Sequence, residues 1–493
     1  MIGLKVAAGW LDLVSGTVSM DIHNPFFSSD SVPGTVSYPF GVAMSASNLV
    51  RLNFPHVRAD QGERIAPEPV EFYLDGLLRW VGSLVYLDAD EEKQVLEYHF
   101  VADAADLQSR IEGVSLVSLD LGQVPLELRA DQPHYALPCW RNTQFYDAEK
   151  VKDYAGVANY YQGGQYQLRP GGKRAPIVPF LRLVPLIRRV LAALGYAVSG
   201  PWLDLPEVQT AVIYSDRAAE DAAGNVLADL VFNRHVPDLN VGDFLLALQK
   251  FFALGYDFHP VRRELRIRPL REVVADQAYV PRAGGPAKTT AVTSDGFTLE
   301  MALEDDELNK TLDTGWKKLV VGNGKEVIST AAGTLHVVRE ADPLSPGRQW
   351  LVPAVEAKGA SLFGNQGDDS RCGLRLLYDR GLRPDSQGGL YPLATWDVFD
   401  YAGYQVGAST LRWEGDHGLY ATWHATWLAF LDRATTKERP MQFRISDLLT
   451  LDPARKELVD YKKYLWEKVS LRLPTTDQRP LEVADFTYRY CRL

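Results

Sequence analysis

Apolar and polar positions alternate with period two over most of the first hundred residues, the mark of strands with one buried face. The clearest case runs from Val70 to Leu87 (VEFYLDGLLRWVGSLVYL), where two β-branched and aromatic runs flank Asp75-Gly76. That pair supplies the positive φ angles of a tight turn, so the segment predicts a hairpin. A further strand, Gln94 to Val101, sets Val95, Glu97, His99 and Val101 against Leu96, Tyr98 and Phe100. VSMDIHNPFF (Val18 to Phe27) adds another before the turn formers Ser28-Ser29-Asp30. Short strands joined by tight turns predict a small barrel or sandwich.

The period then becomes helical. Phe180 to Leu194 puts Leu183, Leu186, Ile187, Val190, Leu191 and Leu194 on one face, with Arg188 and Arg189 pointing away. Val241 to Leu254 does the same with Phe244, Leu245, Leu248, Phe251 and Phe252. Both helices end in Ala-Leu-Gly-Tyr, and each leads into an extended segment, the second a hairpin turning around His259 to Arg263. This predicts two helix-then-strand units in one α+β domain. A Gly- and Pro-dense linker, Pro281 to Thr290, precedes strands at Trp316–Val321, Thr334–Arg339 and Gln349–Val355. Lys358 to Pro392 is loop-like around a buried-looking strand, Leu374 to Asp379, and Gly418 to Ala434 returns to helical spacing. Strand pattern resumes at Met441 to Ile445 and in a hairpin from Lys456 to Leu473. The predicted class is mainly β with an α+β middle. The expected division is an N-terminal barrel over 1–130, an α+β domain over 131–285, and a second β-rich domain over 286–493 with an insertion near 358–395.

Composition narrows the functions. The 493 residues are 46% hydrophobic and 23% charged, which excludes a largely disordered chain. No apolar run approaches the roughly 18 residues of a membrane span, and the N-terminus makes a poor signal peptide. A net charge of −11 argues against a general nucleic-acid binder. Cys139, Cys372 and Cys491 lie too far apart to suggest a disulfide framework or a zinc site.

Candidate chemistry is sparse. Gly322-Asn323-Gly324-Lys325 lacks phosphate-loop spacing and reads as a hairpin turn. The run Glu304-Asp305-Asp306-Glu307 lacks the alternating glycines of a calcium loop and reads as a solvated turn. The nine histidines include no pair at metal-ligand spacing, and His424 reads as a packed helix residue. Cys372 has no local partner to activate a thiolate, and no nucleophile elbow is present. Tyr391, Trp396, Phe399, Tyr401, Tyr404 and Trp413 form an aromatic cluster that reads as core or interface before carbohydrate platform. The expectation is no catalytic residue, no metal and no cofactor.

Several phrases resemble a family of phage and prophage tail proteins from Bacteroidetes-type bacteria, of the baseplate or tail-tip hub kind. They are Asn24-Pro25-Phe26-Phe27, GTVSYPF (Gly34 to Phe40), LNFPH (Leu52 to His56), EFYLDGLLRWVGSL, LGYAVSG (Leu194 to Gly200) and HVPDLNVGDFLLALQKFF (His235 to Phe252) leading to LRIRPL. GLYATWHATWLAFL and FRISDLLTLDPARKELVDYKKYLWEKV follow near the end. The stretch Lys358 to Thr410 matches nothing familiar, and the last hairpin has Asp460-Tyr461-Lys462-Lys463 where the family usually has a Gly. The resemblance implies a virion structural protein with tube-like β-barrels, two per chain. Three chains would then form a pseudo-sixfold ring that lines the DNA conduit, assembled in the host cytoplasm. Its partners would be the tail tube or distal tail protein, the tape measure and a spike or fibre. Interface and hairpin positions such as Phe72, Tyr73, Trp80, Tyr464 and Trp466 should then matter most. Two alternatives from other classes stand beside it: a peptidoglycan- or polysaccharide-cleaving tail enzyme, and a receptor- or carbohydrate-binding tail protein.

Overall fold

Asp75 and Gly76 take positive φ (49° and 78°), and strands Glu68–Leu74 and Leu77–Asp90 run antiparallel from the turn between them. The computed structural model describes the chain except residues 1, 15, 29–35, 103–110, 112, 260–261, 292–295, 366–370, 445–446, 449–450, 476–481 and 492–493. Strand accounts for 40% of it and helix for 20%, so the protein is mainly β, with half-barrel sheets. The hairpin belongs to a 14-stranded sheet. Its first half runs from Gly9–Trp10 through Ile2–Val6, Glu68–Leu74 and Leu77–Asp90 to Val95–Ala102. Val36–Ser37 and Thr17–His23 then lead across a seam to Lys462–Pro474, Glu482–Tyr490, Thr436–Phe443 and Lys288–Thr290.

The seam joins the two ends of the chain. Thr17–His23 pairs antiparallel with Lys462–Pro474 from Thr17↔Pro474 to His23↔Lys468. The expected boundaries at 130 and 285 therefore do not divide the sheets, because strands from the first and last expected domains share one sheet and one core. That core packs Leu4, Phe72, Trp80 and Phe100 together with Val18, Met20, Val469, Leu471 and Phe486. The physical reason is that period-two alternation identifies a strand and its buried face but not its neighbour.

The body between the two ends is α+β. Helix Leu183–Ala193 buries Leu183, Leu186, Ile187, Val190 and Leu191, and helix Val241–Phe252 buries Phe244, Leu245, Leu248, Phe251 and Phe252. Arg188 points outward, whereas Arg189 lies 4.1 Å over the Phe232 ring and donates to the Leu121 carbonyl. The strands that follow the helices, Ala197–Ser199 and Leu254–His259, flank Glu264–Pro269 in one three-stranded sheet. The two Ala-Leu-Gly-Tyr phrases behave differently. The first helix ends at Gly195 with φ 79°, but the second ends at Ala253 with φ 48°, leaving Gly255 inside a strand. A Cβ on Gly255 would sit 2.6 Å from the Phe26 ring, so that glycine makes room for Phe26 of the N-terminal segment.

Residues 358–395, expected as an insertion, supply the longest strand of the body. Leu374–Pro384 pairs with Ala211–Ile213, Ala332–Gly333 and Leu390–Thr395 in a six-stranded sheet. Its first seven residues are all buried, which is why LRLLYD is a continuous run and not an alternating one. Gly322–Lys325 is a turn but does not close a hairpin. The strands it joins, Lys318–Val321 and Glu326–Thr330, lie on opposite sides of Phe297–Met301, one antiparallel and one parallel. Gly418 to Ala434 is helical as expected, with a wider turn at Tyr420–His424 leading into helix Ala425–Arg433.

Candidate assembly surface

The large sheet has one apolar, buried face and one mixed face, on which polar side chains stand among half-buried Val81, Val85, Val95 and Val101. Strand alternation turns Val70, Phe72 and Leu74 into the core and leaves Glu71 and Tyr73 on the other side with Gly3 and Lys5. Around the seam the same face carries Ser19, Asp21, Lys468, Ser470, Asp485 and Thr487. Cations here stand opposite carboxylates: Lys5 is 3.1 Å from Glu71, Lys468 2.7 Å from Asp21 and Lys288 3.4 Å from Glu438. Burial pushes the Asp21 carboxyl up, but hydrogen bonds from Lys468, Ser470 and Tyr38 outweigh it and hold the group below its ordinary range. These charges cross between neighbouring strands, which stabilises the sheet and leaves a face with little net sign.

Among the described residues the main path of the sheet runs from Gly9–Trp10 to Lys288–Thr290, with Phe40–Ala43 branching from Val95–Ala102 and Tyr279–Pro281 attached through Lys456–Val459. Trp10 is 49% exposed and stacks on Tyr73 with ring centroids 4.8 Å apart, directly over Gly3. Tyr73 also donates to Glu71 at 2.8 Å. Lys288, Thr289 and Thr290 are exposed throughout. Main-chain groups left open along such strands are templates for a further strand, although the Trp10 carbonyl already accepts from Arg51 at 2.6 Å.

The five sequence-derived positions divide. Tyr73 lies on the mixed face beside the Gly9–Trp10 edge. Phe72, Trp80, Tyr464 and Trp466 are buried inside the chain's own core, so they hold the sheet together and present nothing to a partner. Phe72 meets Trp80 edge-on at 5.3 Å and Phe100 at 5.1 Å, while Trp466 donates its indole N–H to the Asp452 carbonyl. Aromatic content on a strand marks a large apolar surface without saying whether this chain or another covers it. Trp10 went unremarked in the sequence because a two-residue strand leaves no periodic pattern.

The chemical candidates resolve into structural roles. Glu304 pairs with Arg375 at 3.0 Å, Asp306 accepts from the Asn309 N–H at 2.9 Å, and Glu307 pairs with Lys310 at 2.7 Å. Three of the four carboxylates thus have separate partners, and they do not converge on one point. His424 is buried, with Nε2 donating to the Phe251 carbonyl at 3.1 Å, and burial lowers its pKa to about 4. The three cysteines are buried and none forms a disulfide; burial raises Cys139 to about 12 and Cys491 to about 11. Ser215 Oγ lies 3.3 Å from His235 Nδ1, a pairing the sequence did not reveal. Both side chains are buried, and burial beside Arg217 and Arg234 lowers His235 to about 3, so its imidazole stays neutral. The aromatic cluster splits: Tyr391 and Trp413 are core, Trp396 lies under Arg412 at 3.6 Å, and Phe399 (42%) and Tyr404 (69%) are exposed. Among the described residues no group of three or more His, Cys, Asp or Glu is placed to hold a metal, and no helix is long and apolar enough to cross a membrane.

No protein-family model matches the chain, and no curated protein matches it. Solved structures similar to it include the tail protein from Neisseria meningitidis MC58, at 9% identity and a TM-score of 0.38, covering 99% of this chain and 95% of that one. Another is the 43 kDa tail protein of prophage MuSo2 from Shewanella oneidensis, at 10% identity and a TM-score of 0.38, covering 99% and 97%. Both are tail proteins.

Proposed function

We propose that this chain is a structural component of a phage tail, a hub whose copies close into a ring. The observation that carries the reading is the open 14-stranded sheet. It is built from both ends of the chain, buries one apolar face, and its main path runs from one short strand, Gly9–Trp10, to another, Lys288–Thr290. Its two edges are different sequences, so joining the Gly9–Trp10 side of one copy to the Lys288–Thr290 side of the next is a head-to-tail contact. Such contacts close into rings when the rotation allows, and closure removes both edges. The sequence phrases shared with tail hubs support three copies, each giving two half-barrels to a pseudo-sixfold wall. They also support contacts with the tail tube, tape measure and spike or fibre.

The mixed face suits a wall past which DNA slides. Each unpaired Lys or Arg would be a phosphate contact, and Lys5, Lys468 and Lys288 are already held by carboxylates. The test is mass measurement of the purified full chain by light scattering and native mass spectrometry, with electron microscopy of the same sample. Three copies in a closed ring with a central channel are expected. A monomer at every concentration, or six copies per ring, overturns the reading.

A further inference from the structure

We propose that the Asp460–Lys463 hairpin tip is a docking element that seats on the opposite end of the sheet in a second copy of this chain. The strand register sets the geometry. From the row in which Val101 meets Ser83 and Val36, and Asp21 meets Ser470, Leu77–Asp90 and Val95–Ala102 run one way to the Asp88–Gln94 turn. Lys462–Pro474 runs the other way to Asp460-Tyr461. The two turns therefore lie at opposite ends of one sheet.

The tip is built at a conformational disadvantage. Asp460 and Tyr461 have φ of 50° and 61°. At the matching turn of the first half, Asp75-Gly76 meets the same demand with glycine, the residue that tolerates it. Here a bulky aromatic takes the left-handed conformation and is 97% exposed, so its ring gains nothing inside the chain. The turn is nonetheless fixed in place, since Arg439 donates to Asp460 at 2.7 Å from a buried position. Lys462 and Lys463 follow, and among the described residues neither enters an ion pair. Lys463 instead donates to Gln277, and the Lys462 amine lies 5.6 Å from the Tyr490 ring. The result is a rigid tip with one free aromatic ring and two amines.

The other end has the complementary character. Asp88, Glu91 and Glu92 are exposed, and among the described residues only Asp90 of this turn is paired, with Lys93. The Met44 N–H donates to the Gln94 carbonyl, and helix Pro55–Asp60 packs on Leu77–Asp90, so the segment around Phe54 lies beside this turn. Val50, Phe54, Val57 and Leu87 are all exposed there. An apolar patch edged by Asp88, Glu91 and Glu92 thus lies at the opposite end from a tyrosine followed by two lysines, and contact between two copies satisfies both. This contact goes beyond the ring proposed above, since it joins sheet ends and leaves the edges alone.

The experiment is light scattering of the full chain at low salt and at about 0.5 M salt, where exposed charges are screened. Association of the assembled species should weaken at least about tenfold with salt, while a ring held by main-chain pairing persists. Lys462→Glu with Lys463→Glu should abolish the salt-sensitive step, and so should Asp88→Lys with Glu91→Lys and Glu92→Lys. Mixing those two proteins should restore it. Tyr461→Gly relieves the backbone, so it should fold normally and still associate at least tenfold more weakly. Absence of salt-sensitive association in the wild type, or failure of the mixed pair to restore it, overturns the proposal whether or not the ring forms.

Discussion

Replacing Arg348 with Met is expected to destabilise the body by about 3–5 kcal/mol, the range for removing one partner of a buried ion pair. The Arg348 side chain is 3% exposed; its Nε lies 2.6 Å from Asp385 and a terminal nitrogen 3.0 Å from Asp342, both buried. Tyr160 donates a further hydrogen bond to Asp342 at 2.9 Å, and the guanidinium sits 4.9 Å from the Trp350 ring. Met fills much of the stem's volume, so packing against the aromatics changes little. What it leaves is two buried carboxylates without their cation. At about 2.1 cal/mol/K of unfolding entropy per residue, a chain of 493 residues loses about 1 °C per kcal/mol, so the melting temperature should fall by about 3–5 °C. A chain of this size need not unfold in one step, so the local reading is peptide-level hydrogen exchange. Protection should be lost first in Gln349–Ala354 and Leu390–Thr395, the strands beside the cluster. Adding Asp385→Asn should cost less than the sum of the two single changes, by about 1–3 kcal/mol. A single substitution costing under about 1 kcal/mol, or strictly additive effects, would show that the cluster does not bind these turns together.

Leu248→Asp or Phe251→Asp should each cost several kcal/mol, because both side chains are fully buried on helix Val241–Phe252; soluble, cooperatively melting protein would contradict this. Gly200→Ala should be similarly harmful. Gly200 has φ 130°, and a Cβ would come 2.0 Å from the Ile267 carbonyl oxygen, so normal expression and melting would refute that contact. Acid should weaken the fold through its buried histidines. Burial holds His235 at about 3 and His424 at about 4, below the usual value near 6.5, so below that pH the unfolded chain takes up protons that the folded chain refuses. Their stabilisation is complete above about pH 6.5 and falls by about 1.4 kcal/mol per group per unit below it, until the folded pKa is reached. Denaturant midpoints at pH 7 and 5 measure the slope; His424→Gln, which can still donate to the Phe251 carbonyl, should flatten it, and an unchanged slope would count against this account.

Local pattern revealed the elements and concealed their partners. The Val70–Leu87 hairpin, both amphipathic helices and the final hairpin stand where periodicity puts them, because each depends on residues adjacent in sequence. The seam between Thr17–His23 and Lys462–Pro474 does not, since neither strand carries a mark of the other. Leu374–Pro384 was legible as a buried strand but not as the strand to which Ala211–Ile213 and Leu390–Thr395 attach. At the assembly surface, Tyr73 was legible as an aromatic on a strand. Its placement beside Trp10 on the mixed face was not, because that depends on which of two similar faces the chain buries for itself. The Asp460-Tyr461 turn was visible in the sequence as a hairpin tip without glycine, and only its backbone angles show that both residues take positive φ.

The seam also makes the two ends of the chain depend on the body between them. Gly16 N–H donates to Thr475 Oγ1 across 459 residues, and closing an unstructured loop of that length costs about 5 kcal/mol before any constant is added. Seven paired residues at a strand end are a weak return for that. The body lowers the cost by bringing both ends to one place. Phe26 enters the space left by Gly255, and Asn24 donates to the Pro453 and Trp466 carbonyls, so the N-terminal segment is anchored on the folded body beside the C-terminal strands. Asn24 directly follows Thr17–His23 and Trp466 lies within Lys462–Pro474, so these contacts extend the seam to the body. The mixed face that spans the seam, and the two edges that flank it, therefore exist together only in a chain that has folded throughout. In the proposed ring, this dependence would tie assembly to completion of the fold, since a partly folded chain would offer one edge without the other.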